Sequence, residues 1–161
     1  AGEMIVSKLE SNLTKVIILR LFNVYGPGQD MKNIKQGMLS IYLSQILKHK
    51  KVFIKGSLNR FRDFVFIDDV ISALTHRFKK SNTYNVGFGK PYKVIDVIKI
   101  LFHLTKNSFN KKKIKFLIKH SGDPWGNFAN TSKLKKIGWR PKFNLVLGAK
   151  ETVKSVLNKQ S

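Results

Sequence analysis

The sequence predicts an alternating α/β fold with a parallel component, on three observations. Val16–Leu21 (VIILRL) is an apolar run with β-branched residues and the length of one strand, the pattern of a strand buried on both faces. Val94–Leu104 places Val94, Val97, Ile98, Leu101 and Phe102 at i, i+3, i+4, i+7 and i+8, one face of an amphipathic helix. Strand-like and helix-like segments then follow one another in turn along the 161 residues, as in parallel-sheet proteins.

The elements follow in order. Gly2–Asn12 has Ile5, Leu9 and Leu13 one turn apart and predicts a helix. Strand Val16–Leu21 stops at the turn signal Gly26-Pro27-Gly28. Gly37–His49 puts Leu39, Leu43, Ile46 and Leu47 on one helical face, and Val52–Ile54 is a short strand closed by Gly56. Arg62–Ile67 is a strand ending at Asp68, a good N-cap for a helix Asp69–Phe78 striped by Val70, Ile71, Leu74 and Phe78. Tyr84–Val86 is a strand stopped by Gly87 and Gly89, and Ile114–Ile118 is another. Thr131 begins a short helix that Gly138 ends, with Pro141 just beyond. Leu145–Leu157 closes the chain as a helix on Val146, Ala149, Val153, Val156 and Leu157. The start in mid-helix, with no lead-in, leads to the expectation that the greater part of a sheet lies upstream.

Composition narrows the function classes. Hydrophobic residues at 42% are enough for a folded core. No apolar run approaches the roughly 20 residues of a membrane helix. Cysteine is absent, which excludes disulfides, zinc fingers and thiol nucleophiles; together with the lack of a secretory pattern, this makes a cytoplasmic setting the expectation. Lys and Arg number 31 against nine acidic residues, a net charge of +22 that attracts polyanions. The basic residues are nevertheless scattered, and the tightest clusters, Lys48-His49-Lys50-Lys51 and Lys111-Lys112-Lys113, lack the aromatic alternation that stacks bases. Nucleic acid is therefore not the expected main partner. A non-enzymatic basic module binding a polyanion stays open as an alternative.

Stand-alone catalytic sets are missing. No glycine-rich phosphate loop and no G-x-S-x-G elbow occurs. His49, His76, His103 and His120 are dispersed without metal-ligand spacing, so no metal is expected. Asp68-Asp69 reads first as a carboxylate pair complementing a helix dipole. Two segments stand out. Leu19–Gln29 runs a buried strand into an Asn and a Gly-Pro-Gly turn, which places polar groups at the carboxyl edge of a sheet, where open α/β folds bind ligands. In Gly56–Val70, Arg62 starts a strand, and a guanidinium fork suits a diphosphate, although Arg62-Asp63 also reads as a local ion pair.

These segments resemble the extended short-chain dehydrogenase/reductases, the NAD-dependent sugar-nucleotide epimerases and dehydratases. That family carries L-R-x-F-N-V-Y-G-P-G-Q, G-x-G-x-x-x-R-D-F-V-Y-V-D-D-V, Y-N-V-G-x-G, R-x-G-D and L-G-W-x-P. Leu19–Gln29, Gly56–Val70, Tyr84–Gly89, Gly122-Asp123 and Ile137–Pro141 match them in the same order. The resemblance implies the C-terminal part of a Rossmann-type protein. Residues 1–30 would be the last helix and strand of a dinucleotide-binding domain. Residues 31–161 would mainly form the smaller substrate-binding α/β domain, with a returning strand near 62–87. It also implies that Asn23 bonds the diphosphate or sugar of a nucleoside-diphosphate sugar and that Arg62 clamps the diphosphate. Phe53–Lys55 would lie along the base, Asp123 would hold the ribose, and Phe22 and Val24 would pass beside the nicotinamide of NAD or NADP. Asn23 as a turn former, and Asp123 as a turn residue before Pro124, stay open.

The departures shape the rest. His120 stands where the family has a second diphosphate Arg, and Leu58 where it has the middle Gly of its turn. None of Tyr25, Tyr42, Tyr84 and Tyr92 has Lys four residues on, so the family's catalytic Tyr-x-x-x-Lys pair is not in this sequence. The Ala1-Gly2-Glu3 start matches the residues that follow that pair. The expectation is a fragment, inactive alone, of an epimerase or dehydratase working through a keto-sugar, with a keto-sugar reductase as the alternative within the family. The resemblance further implies a homodimer through the first helix.

Overall fold

The computed structural model describes residues 2–33, 37–117 and 125–159. The elements are α1 (Gly2–Ser7), β1 (Ile17–Leu21), β2 (Asn23–Tyr25), α2 (Met38–His49), β3 (Val52–Lys55), β4 (Phe61–Arg62), β5 (Phe64–Phe66) and α3 (Ile67–Leu74). They continue with β6 (Asn82–Val86), β7 (Tyr92–Lys93), α4 (Val94–Leu104), β8 (Ile114–Leu117), β9 (Gly126–Asn127), α5 (Ser132–Lys136) and α6 (Leu145–Asn158). The α/β alternation is as expected. β1 pairs in parallel with β6, β2 with β5, and β3 with β8. β4 lies between antiparallel β7 and parallel β9.

The strand buried on both faces is β5, not β1. Phe64 and Phe66 enter one core with Tyr25, Leu43 and Ile98, while Val65 points into a second core with Val70, Tyr84 and Trp139. The two-residue period of the pleat separates them. In β1, Ile17–Leu19 are only half-buried and Leu21 is 47% exposed, because β6 is its sole partner strand among the described residues.

The helices repeat this split between pattern and context. α4 buries all five residues of its stripe, and α2 buries Leu39, Leu43 and Ile46. α1 is shorter than expected, and Ile5, Leu9 and Leu13 are exposed. A salt bridge of 2.6 Å from Arg20 to Glu3 ties α1 to β1 at the surface. α3 ends at Leu74 with Thr75 as its C-cap, the Thr75 hydroxyl donating to the Ile71 carbonyl; Ile71 and Leu74 face outward, and Val70 and Ala73 carry the packing. In α6 the buried face is Leu145, Gly148, Ala149, Thr152 and Val153, with Val146 turned out. Its N-cap is Asn144, whose Oδ1 accepts the Leu147 N–H at 3.0 Å. Asn144→Ala is expected to cost about 1 kcal/mol, read as a lower urea midpoint at unchanged slope. No helix among the described residues is long and apolar enough to cross a membrane.

Candidate functional site

Chain direction is what gathers the site. β1 and β2 form one extended run, interrupted at Phe22, whose N–H donates to the Val86 carbonyl at 3.0 Å. Beyond it the run changes neighbours, from β6 to β5, and Asn23 comes level with Phe64. Asn23 Nδ2 donates to the backbone carbonyl of Asp63 at 2.7 Å. Asn23, Val24 and Tyr25, with Gln29, Gly37, Met38, Leu39 and Phe64, line a cavity of about 280 Å³. It opens at the carboxyl end of β2 against the first turn of α2. The N-cap there is Gly37, at φ 74, which supplies no capping side chain. Ser40 at the start of α2 donates its hydroxyl to Gln29 Oε1 and fixes that amide at the rim.

Asp63 divides the strand expected over Arg62–Ile67. Its side chain is fully buried. Oδ1 accepts the N–H of Phe88 at 3.0 Å, and Oδ2 accepts those of Gly89 at 2.8 Å and Ala129 at 3.0 Å. The carboxylate is thus engaged by backbone rather than spent on a local pair with Arg62. Burial pushes its pKa above the usual carboxylate value, against the pull of those N–H groups and of Lys135. The Y-N-V-G-x-G segment serves the same knot. A Cβ on Gly87 would lie 2.5 Å from the Ala129 Cβ and 2.6 Å from Asp63 Oδ2, and Gly89 takes φ 82 to aim its N–H at the carboxylate.

Arg62 lies on β4, largely buried, and Nη1 donates to the Phe61 carbonyl at 2.8 Å. Burial, and then the neighbouring Arg60, lower its pKa, with Tyr42 opposing. The Arg60 side chain binds the carbonyls of Ser57 and Lys55 and braces the Gly56 turn. Phe53 sits half-buried on β3, in the sheet with β8, its ring edge-on to His49. It does not line the Asn23 cavity. The structure therefore places Asn23 and Val24 on the cavity, with Asn23 bonded to the backbone of Asp63 next to Arg62, whereas Arg62 and Phe53 lie in two other sheets and neither they nor Phe22 line the cavity. His120 and Asp123 lie outside the described residues.

Sequence reasoning passed over three contributors. Gln29 ended a motif but was given no role. Asp63 reads from its neighbours as an ion-pair partner of Arg62, although a carboxylate inside an apolar strand is itself a signal. Asp69 was read with Asp68 as a dipole complement, yet it is buried and accepts the N–H groups of Lys142 and Phe143 at 2.8 and 3.0 Å. Only Asp68 stays exposed in the first turn of α3. The Ile137–Pro141 segment is latched alongside, with Trp139 Nε1 donating to Ser72 Oγ at 2.8 Å. Among the described residues no group of His, Asp and Glu could hold a metal.

Parallel strands, flanking helices and a polar cavity at the carboxyl ends of the strands define an α/β protein with a cavity at the sheet edge, where open α/β folds bind ligands. Residues 1–87 match the model of the NAD dependent epimerase/dehydratase family, and the chain belongs to that family, within the extended short-chain dehydrogenase/reductases. A Methanocaldococcus jannaschii protein, named provisionally as a UDP-glucose 4-epimerase, is 32% identical over 142 residues, 88% of this chain and 44% of its own length. The human dTDP-D-glucose 4,6-dehydratase is 29% identical over 86% of this chain and 40% of its own. The crystal structure of a Thermotoga maritima UDP-glucose 4-epimerase with UDP-glucose superposes with a TM-score of 0.85 at 27% identity, over 99% of this chain and 52% of that one. The chain spans about half the length of these relatives or less.

Proposed function

We propose that this chain is the sugar-nucleotide-binding portion of an NAD(P)-dependent nucleoside-diphosphate-sugar epimerase or dehydratase, with epimerase slightly favoured. The observation that carries the reading is the cavity beside Asn23. There an amide whose Oδ1 takes no hydrogen bond among the described residues meets the first turn of a 12-residue helix. Backbone N–H groups at a helix start favour anionic oxygens, and an amide suits diphosphate or sugar hydroxyls. Arg62 supplies a guanidinium next to the same junction. His120 and Asp123 complete the assignment for the diphosphate and ribose, and Phe53 for the base.

NAD, when bound, takes up hydride from a sugar carbon and returns it. Phe22 and Val24, half-buried on either side of Asn23, fit the flank of a flat ring. The sequence holds no glycine-rich loop for the dinucleotide phosphates. The same reading assigns 1–30 to a dinucleotide-binding domain and 31–161 mainly to a substrate domain with a returning strand near 62–87, and the pairing of β5 with β2 and β6 with β1 supports that return. Exposed Met4, Ile5 and Leu9 on and after α1 suit a helix covered by a second subunit.

Titration calorimetry with UDP-glucose, dTDP-glucose and uridine tests the proposal. A nucleoside-diphosphate sugar is expected to bind more tightly than uridine, and Asn23→Ala to weaken it about tenfold, the loss of one hydrogen bond to a charged group. DNA binding with a steep salt dependence, and no response to either sugar nucleotide, would instead favour the basic polyanion module.

A further inference from the structure

We propose that Asp63 is a positioning residue for the ligand site, acting through Asn23, an inference that rests on the function proposed above. Asn23 Nδ2 is held by the Asp63 backbone carbonyl at 2.7 Å. The direction of that carbonyl is set by the peptide plane at the β4–β5 break, where the regular ladder is interrupted. The Asp63 side chain fixes the plane by accepting three N–H groups from two distant segments, at residues 25, 26 and 66 positions away. A carboxylate with both oxygens engaged and no exposure cannot rotate, so the residue that carries it is fixed as well. The consequence runs one way along the chain of contacts. Phe88, Gly89 and Ala129 hold the Asp63 carboxylate, Asp63 holds its own carbonyl, and that carbonyl selects which face of the Asn23 amide meets the cavity. With the amide so turned, one N–H of Nδ2 is committed, and Oδ1 and the second N–H are left for a ligand. The amide therefore offers a ligand an acceptor, for a sugar or ribose hydroxyl, and a donor, for a phosphate oxygen, at this position.

A double-mutant cycle on UDP-glucose affinity tests this. Asp63→Asn keeps the shape but points an amide at one of the N–H groups. It is expected to weaken binding about tenfold when Asn23 is present and less than about twofold in the Asn23→Ala background, a coupling of the size contacting residues show. Gly89→Ala provides a second route should Asp63→Asn fold poorly. It strains the positive φ and loosens one bond to the carboxylate while leaving Asp63 and Asn23 in place, and it should show the same coupling to a smaller degree. Additive effects with Asn23→Ala in both cycles, at unchanged wild-type binding, overturn the positioning role. Absence of UDP-glucose binding by the wild type overturns the underlying function and this assignment with it.

Discussion

Asp63→Ala is expected to destabilise the protein by about 2–4 kcal/mol, because it leaves one buried and two part-buried backbone N–H groups without their acceptor, at up to about 1–3 kcal/mol each. Domains of ordinary stability have about 5–15 kcal/mol in all. Equilibrium urea unfolding should therefore show a midpoint near the foot of the wild-type transition, with loss of β4, β6 and the Ala129 segment together. A loss under about 1 kcal/mol would mean that the three N–H groups find water instead, and that the knot is not closed.

The same carboxyl gives the protein a pH signature. Its folded-state pKa is raised, first by burial. The native state therefore holds the proton where the unfolded chain has released it. For this group, stability is greatest below the unfolded value of about 3.9 and falls as pH rises towards the folded pKa. Asp63→Asn cannot titrate and lacks that slope. The wild-type advantage over Asp63→Asn should accordingly shrink as pH rises from about 4 through that window.

Local elements were legible where local chemistry determines them. Residues Val94 to Phe102 repeat with the helical period, and the helix buries just those side chains. Thr131 and Gly138 bound α5 as punctuation predicts. The reading failed where the outcome depended on distant chain. The apolar run at Val16–Leu21 makes a strand, but its burial depends on neighbours, and β5 takes the doubly buried place. Nothing near Asp63 in sequence announces donors as far off as Ala129, so an adjacent Arg looked like its natural partner. Asn23 was legible because a strand running into an Asn and a Gly-Pro-Gly turn must end at a sheet edge. Gln29 and the first turn of α2 were not, because the cavity they close exists only once α2 folds back on β2.

The glycine with the least room for a side chain among the described residues yields the other large effect. Gly148 on α6 lies against the β2–β5 layer, and a Cβ there would come 2.2 Å from the Tyr25 hydroxyl, 2.7 Å from Phe66 Cδ2 and 2.9 Å from Tyr25 Cζ. Both rings are about 2% exposed and pack edge to face at 5.6 Å, so neither can swing away. Gly148→Ala should therefore lose about 2–3 kcal/mol to overpacking, although alanine is the better helix former by about 1 kcal/mol. The hydroxyl is the nearest obstacle, and it is poorly anchored: its hydrogen bonds to the Asn144 and Leu145 carbonyls are both 3.4 Å. Tyr25→Phe alone should then cost under about 1 kcal/mol, the low end for a weak hydrogen bond. Combined with Gly148→Ala, it should restore part of the loss, a favourable coupling of about 1 kcal/mol between touching sites. Additive thermal or urea melts for the pair would place the clash with Phe66 instead. Rescue would show that a single oxygen sets how closely α6 can approach β2, and so keeps position 148 a glycine.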